Sequence, residues 1–314
     1  MPKTTLDMFE YSSDALAQAA YATDGAYSAD KIPDMTSHTA PSGVVSAEAE
    51  YYSGEYPAWR AMNDSNVNEY DCWIGGTGFP HWLKYQFTSG KVIQRYTVTA
   101  RNSTDILYPS NWTLQGSNND SDWTTLDTQG GQTFTIAEKK TYSFSNLTSY
   151  IYYRIYITVG LHATLVAIAE FELIERALQC GSEDTIKTQG SYALKGLTTT
   201  DAINDTLTRT VSPTINLSGI TRIKFDMRAS RTGSNIKIGF HDSGGTTTEV
   251  TPNIASADTF QTVTLSMSPV TNANKDAIDS IIITVVNADA ANTFYIDNMY
   301  GETISKALFF NFDF

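Results

Sequence analysis

Along most of the chain apolar and polar residues alternate. In "VIQRYTVTAR" Tyr96, Val98 and Ala100 share one face, and Arg95, Thr97, Thr99 and Arg101 share the other. That period of two predicts a half-buried strand. "NWTLQGS" and "YYRIYITV" repeat the pattern, and "GSNNDSDW" between them is built of residues that tolerate tight or left-handed turns. After Glu175 a second series begins. "ITRIKFDMRAS" sets Ile223, Phe225, Met227 and Ala229 against Lys224, Asp226 and Arg228, and "NIKIGFHD", "FQTVTLSM", "SIIITVVN" and "TFYIDNMYG" follow, separated by polar turns. "SSDALAQAA" departs from this pattern and predicts a short helix, with Ser or Asp as N-cap and Leu16, Ala19 and Ala20 on one side. In the final "ISKALFFNFDF", Phe310, Phe312 and Phe314 alternate with Asn311 and Asp313, which predicts a strand that finishes a sheet or adds to a neighbouring subunit.

Short strands joined by Gly, Asn and Asp clusters predict an all-β protein, and 314 residues exceed one ordinary domain. Lys and Arg number 21 against 34 Asp and Glu, a net charge of −13 without any basic run, so nucleic acid is not an expected partner. No stretch has the ~18 apolar residues of a membrane span, so membrane insertion is not expected. "MPKTTLDMFE" lacks the apolar core of a signal peptide, which points to release by another route, as for virion proteins, or to a leader already removed. Two cysteines, Cys72 and Cys180, are too few for a disulfide framework or a zinc site. No G-x-S-x-G, H-E-x-x-H or phosphate-cradling loop occurs, and four histidines leave little for acid–base work, so no enzyme is expected.

"YPAWRAMND" with Trp73 downstream, then "GFPHWLKYQF", "YTVTARN", "YPSNWTLQGSNNDSDWTTLD", "YYRIYITV" and "IAEFELIE" follow one another as in discoidin domains (F5/8 type C, the family 32 carbohydrate-binding-module type). The resemblance covers some 130 residues. It implies a jelly-roll sandwich that binds a sugar or another surface ligand in loops at one end. It also implies a structural Ca²⁺ held by Asp64 with Asn66 or Asn68 and by Glu170. The usual Gly after the Asp is Ser65 here, and the alternative is that these are solvated turn residues. A sugar needs an aromatic platform and bidentate polar groups. Arg101 and Asn102 match the place where relatives present an Arg and a nearby Asn, and Tyr51, Tyr52, His81 and Tyr108 are expected in loops that could join them. Each has a structural alternative, a satisfied histidine or rim packing for the tyrosines. Trp82, Trp112 and Trp123 read as core.

"GSYALKG", "INLSGITRIKFDMRAS" and "FYIDNMY" resemble the jelly-roll carbohydrate-binding modules of the galactose-binding-like group. Modules of this group open with a Phe-Glu segment. None stands just before Gly190, but "MFE" stands at residues 8–10. The domains are therefore expected to be 1–26 plus 178–302, a discontinuous jelly roll, and 27–177, a discoidin-like jelly roll inserted into it, with 303–314 a C-terminal aromatic tail. A detached N-terminal arm is the alternative. The resemblance implies a second structural Ca²⁺ between Glu10 and Asp297, or else a salt-bridge or capping arrangement there.

The resulting expectation is a non-catalytic carbohydrate-binding protein on a virion surface: a phage tail fibre, receptor-binding protein or capsid decoration. Its partners would be host or environmental glycans and its own copies or other virion proteins, with the aromatic tail as the expected contact. The alternatives are a purely structural subunit of a virion or extracellular filament, and a secreted bacterial adhesin or accessory module.

Overall fold

The structure, a computed structural model, describes residues 3–7, 9–52 and 54–303. Residues 304–314 of the aromatic tail lie outside the described residues. The protein is nearly all β, and it divides into two compact units: residues 1–26 with 177–314, and residues 27–176.

The unit 27–176 is a jelly-roll sandwich of a four-stranded and a five-stranded sheet. In the four-stranded sheet, Ile93–Thr99 lies between Lys139–Ser143 and Glu170–Arg176. Tyr96, Val98 and Ala100 are buried in the core, as alternation predicts, but Thr97, Thr99 and Arg101 on the opposite face are buried too. Thr97 donates its hydroxyl to Glu172 at 2.6 Å, and Lys139 pairs with Glu172 at 2.6 Å, so polar side chains rather than a second apolar layer cover that face. The five-stranded sheet runs in the order Val44–Ala47, His81–Lys91, Tyr150–Gly160, Pro109–Ser117, Thr124–Gln129. Its inner positions, among them Leu83, Tyr85, Ile155, Ile157, Trp112 and Leu114, are buried against the other sheet. Of the tryptophans read as core, Trp112 is buried, but Trp82 and Trp123 are only half-buried. Trp82 sits one position out of phase with Leu83 and Tyr85, and Trp123 precedes an edge strand, so neither is enclosed between the sheets.

In the other unit, Leu178–Glu183, Ala193–Thr198, Asn292–Glu302, Arg222–Ala229 and Gln261–Ser266 pair in that order, facing a second sheet built on Ile236–Asp242, Ile278–Val285 and Thr206–Ile215. The N-terminal segment belongs to both layers: Lys3–Asp7 pairs with the closing strand Asn292–Glu302, and Ala22–Thr23 pairs with Thr206–Ile215. Between them, Ser13 caps the helix Asp14–Ala20, accepting from the Leu16 N–H at 3.3 Å. The helix does not turn its predicted side inward. Leu16 is 52% exposed, whereas Ala17 and the following Tyr21 are buried. The helix lies close to Leu178–Glu183, with Gln18 donating to the Cys180 carbonyl at 3.0 Å, so a methyl group fits at the contact and a Leu does not. Ala177 belongs to this unit, one residue earlier than expected, because its N–H donates to Ala26 at 2.8 Å and its carbonyl accepts from Thr199 at 2.8 Å.

Candidate functional site

At one end of the 27–176 unit, the short 3₁₀ helix Ala58–Met62 places Ala58, Ala61 and Met62 inward and leaves Trp59 and Arg60 half-buried. The loop that follows returns over it. Arg60 donates to the Tyr70 carbonyl, Asn63 donates its amide to Asp71 at 2.8 Å, and Asn68 accepts from the Tyr70 N–H at 2.8 Å. Trp59, Arg60, Asn63, Val67, Asn68, Tyr70 and Asp71 line an open cleft of about 420 Å³. It combines two aromatic side chains with a guanidinium, two amides and a carboxylate, the mixture that a sugar requires. Sequence reading missed Trp59, Arg60, Tyr70 and Asp71, although "YPAWRAMND" had marked the segment. Adjacent aromatic and polar residues there were the available signal.

The predicted sugar residues take other places. Arg101 is 6% exposed, and its guanidinium is used internally. Nε donates to the Glu69 carbonyl at 2.7 Å, Nη1 pairs with Asp105, and Nη2 donates to the Tyr56 hydroxyl at 3.4 Å. Arg101 thus braces the cleft loop from beneath and is not a ligand contact. Tyr56 stacks on the half-exposed Tyr70 with centroids 6.0 Å apart, which links the brace to the cleft wall. Asn102 is half-buried and donates to the Asn66 carbonyl at 3.2 Å. His81, expected in a loop, opens the strand His81–Lys91 and is fully buried, its ring between Glu48 at 2.5 Å and the Thr164 carbonyl at 3.1 Å. Tyr108 is likewise buried, with its ring 6.1 Å from that of Phe134. Tyr51 packs half-buried on Tyr56, Cys72, Ile74 and Leu107, and Tyr52 beside it, ring centroids 4.3 Å apart, is 64% exposed. Of the six, Tyr52 alone offers a largely free side chain.

The implied calcium ligands divide in the same way. Glu170 is 5% exposed, and among the described residues no cation pairs with it. Burial pushes its carboxyl up to about 9, the charges of Asp30 and Glu172 add to this, and the Ser65 and Asn63 amides oppose it. The Asn66 Oδ1 is buried without a hydrogen-bond partner, while its amide donates to Ala100 at 3.3 Å. A buried Glu170 carboxyl with no cation beside it among the described residues and an orphaned amide oxygen are hard oxygen donors of the kind Ca²⁺ takes, and the charge of an ion there would favour the ionised form that burial disfavours, so these residues fit the ion. Asp64 is exposed on the same loop in a left-handed conformation (φ 52°). Asn68 is instead committed to the cleft loop through Tyr70. Among the described residues no group of three or more His, Cys, Asp or Glu gathers to hold a metal, so the remaining ligands would be amide and carbonyl oxygens.

In the other unit, Asp297 is fully buried and its oxygens accept from Thr188 N at 2.7 Å, Thr188 Oγ1 at 3.0 Å, Gln189 N at 2.9 Å and Asn298 N at 2.7 Å. Glu10 accepts from Ser191 N at 2.9 and 3.0 Å. The two carboxylates therefore hold the same loop, 188–191, from its two ends. Asp226, read in the sequence only as a polar-face strand residue, is the register partner of Asp297 and shares the Thr188 hydroxyl at 2.9 Å. Because N–H and O–H donors occupy these oxygens, the arrangement fits a latch and does not fit a Ca²⁺ site.

Residues 61–155 match a family model described as a NedA-like, galactose-binding domain. A comparison with curated proteins gives no match. The chain is similar to a family 32 carbohydrate-binding module from Clostridium perfringens in complex with galactose, at 21% identity over 42% of this chain and 93% of that one, TM-score 0.36. It is similar to chitosan-binding module 1 of a chitosanase/glucanase from Paenibacillus sp. IK-5, at 22% identity over 42% and 93%, TM-score 0.35. It is also similar to a fucolectin from the serum of striped bass, Morone saxatilis, at 12% identity over 84% and 97%, TM-score 0.40.

Proposed function

We propose that this is a non-catalytic carbohydrate-binding surface protein whose 27–176 unit takes a galactose-type sugar in the cleft formed by residues 59–71. One coincidence carries the reading: the galactose-binding family match over residues 61–155 includes five of the seven cleft residues, Asn63, Val67, Asn68, Tyr70 and Asp71. In this reading Trp59 and Tyr70 meet the C–H face of the ring, and Asp71, Asn63 and Arg60 meet its hydroxyls. Calorimetric titration with galactose and N-acetylgalactosamine tests it. Binding is expected to be lost in Trp59→Ala and in Asp71→Asn while the melting temperature holds. Binding that survives both variants, or no binding of any neutral sugar, refutes it.

Calcium belongs to the same reading, held by Glu170 and Asn66 with Asp64 contributing from the loop. The ion would compensate the buried carboxylate and fix the loop that forms the cleft. Calcium at millimolar concentration is expected to raise the melting temperature of a chelator-treated sample, and Glu170→Gln to abolish that rise; an equal rise in the variant refutes the assignment.

The mosaic of two sandwiches suits display on a virion, where many copies convert weak single-site affinity into avidity toward host or environmental glycans. Immunogold labelling of particles with antibody to this chain tests that placement. We further read the 27–176 unit as a guest in the other sandwich, supported by the direct Ala177 to Ala26 hydrogen bond at the junction.

A further inference from the structure

The outward face of the five-stranded sheet in the 27–176 unit carries an aromatic and cationic array that the cleft does not use. Register sets it out in rows. Tyr156 lies opposite Trp82 on one side and Thr113 on the other, Arg154 opposite Lys84 and Gln115, and Tyr152 opposite Gln86 and Ser117. The alternate positions Tyr153, Ile155 and Ile157 are fully buried, so these rows lie on the face away from the core. Trp82, Tyr152, Arg154, Tyr156 and Trp123 are all half-buried.

Two cations sit among these rings, and they differ. Lys84 lies 5.2 Å from the Trp82 ring and 5.6 Å from that of Tyr152, and it is neutralised by Asp120 at 2.6 Å. Arg154 lies 4.0 Å from the Trp123 ring and 5.0 Å from that of Tyr156, and its Nε donates to Gln115 at 2.7 Å. No carboxylate pairs with Arg154 among the described residues, and its two terminal amino groups have no protein hydrogen-bond acceptor. In a chain of net charge −13, a guanidinium fixed by two rings and an amide, which no carboxylate contacts directly among the described residues although the charge of Asp120 on Lys84 reaches it, is complementary to an anion. Its planar fork matches a carboxylate, and the neighbouring rings match the apolar face of a pyranose.

From this geometry we propose that the sheet face is a second saccharide site, distinct from the cleft, which takes a carboxylate-bearing sugar residue with its carboxylate on Arg154 and its ring against Trp82 and Tyr156. The preorganised guanidinium loses little freedom on binding, and the side-chain amides of Gln86 and Gln115 supply partners for hydroxyls. The proposal does not depend on the cleft reading.

Two matched pairs of ligands test it on the full chain: sialyllactose against lactose, and a glucuronate-containing tetrasaccharide against its carboxyl-reduced form. In calorimetry or affinity electrophoresis at least one acidic member is expected to bind about tenfold or more tightly than its neutral partner, as a charge-assisted bidentate contact implies. That preference should weaken several-fold as salt rises. Arg154→Gln should erase it, and Arg154→Lys should keep only part of it, because a point charge lacks the fork. Thr113→Glu puts a repelling carboxylate beside Tyr156 without touching the stack, and should also erase it should Arg154→Gln fold poorly. Trp59→Ala in the cleft should leave it intact. Equal binding of acidic and neutral members in both pairs, a preference that survives Arg154→Gln and Thr113→Glu, or its loss in Trp59→Ala overturns the proposal.

Discussion

Besides strand pairing, a buried ionic knot ties the N-terminal segment to the rest of its unit, and its removal has a calculable cost. Asp7 is 6% exposed and its carboxylate accepts four bonds: from Phe9 N at 2.8 Å, Tyr11 Oη at 3.0 Å, Tyr21 Oη at 2.9 Å and Arg209 Nη1 at 2.8 Å. Burial, reinforced by the field of this carboxylate, raises the pKa of both tyrosines, so both stay neutral donors. Arg209→Met leaves a buried carboxylate with three neutral donors but no counter-charge. Breaking a fully buried pair costs about 3–5 kcal/mol, and because the Arg209 side chain is 26% exposed we expect about 2 kcal/mol. Asp7→Leu strands a fully buried Tyr21 hydroxyl and the Phe9 amide besides the cation, so about 3–4 kcal/mol is expected from two to three unsatisfied groups. For a unit of this size each kcal/mol lowers the melting temperature by about 2–4 °C. The assay is urea unfolding of both single variants and the double variant. A coupling energy of about 1–2 kcal/mol is expected, since the penalty for each orphaned charge vanishes when its partner is also gone. Additive single effects, or losses below about 0.5 kcal/mol, would refute the reasoning and reduce the segment to a loosely docked arm.

Other consequences are direct. Asp30, half-buried by exposure but with its carboxyl largely desolvated and bonded to the amides of Ile32 and Leu173, is raised from 3.8 to about 7 by that desolvation, against the opposing pull of those amides. A raised carboxyl favours the fold below the unfolded value and loses that contribution as pH climbs toward about 7, so stability should fall between pH 4 and 7, and Asp30→Asn should flatten the fall in melting curves. Arg101→Met should cost about 2–3 kcal/mol, measured by urea unfolding, because the Asp105 carboxylate then loses its partner; full stability with lost sugar binding would instead make Arg101 a ligand contact. Gly190 has φ +61° and a Cβ there would lie 1.5 Å from Glu10 Oε1, so Gly190→Ala should lose about 2 kcal/mol, partly restored by Glu10→Ala. Joining Ala26 to Ala177 through a short Gly-Ser linker should give a folded protein with a cooperative thermal transition, since these residues already share a hydrogen bond of 2.8 Å.

Much of the fold is legible in the local pattern because the strand period is a local property. Alternation around Tyr96, Ile155, Phe225 and Met227 names the buried face of each strand, and those side chains are buried. The segment opening the chain, marked by Phe-Glu, could be tied to the closing strand only by resemblance, since nothing local specifies a partner at the far end of the sequence. Its pairing, Lys3 with Glu302 and Thr5 with Tyr300, is a tertiary fact.

The site was less legible than the fold, for a physical reason. Alternation says which side of a strand a residue takes but not what lies over that side. Hence Arg101 and His81, polar and suggestive in the sequence, are buried and satisfied, Arg101 by nearby Asp105 and by Glu69, and His81 by Glu48 and Thr164, the last three brought in from distant loops. Trp82 and Trp123, which sequence places in the core, frame an open sheet face, and Asp226 meets Asp297 only through register. The sequence by itself determined two β-sandwiches, their inner faces and an acidic, carbohydrate-module-like character. Only the tertiary structure decided which side chains, like Arg101 and His81, are enclosed and satisfied inside and which, like Trp59 and Arg154, stay half-buried at the surface, because exposure and hydrogen-bond satisfaction depend on neighbours that the chain brings together only on folding.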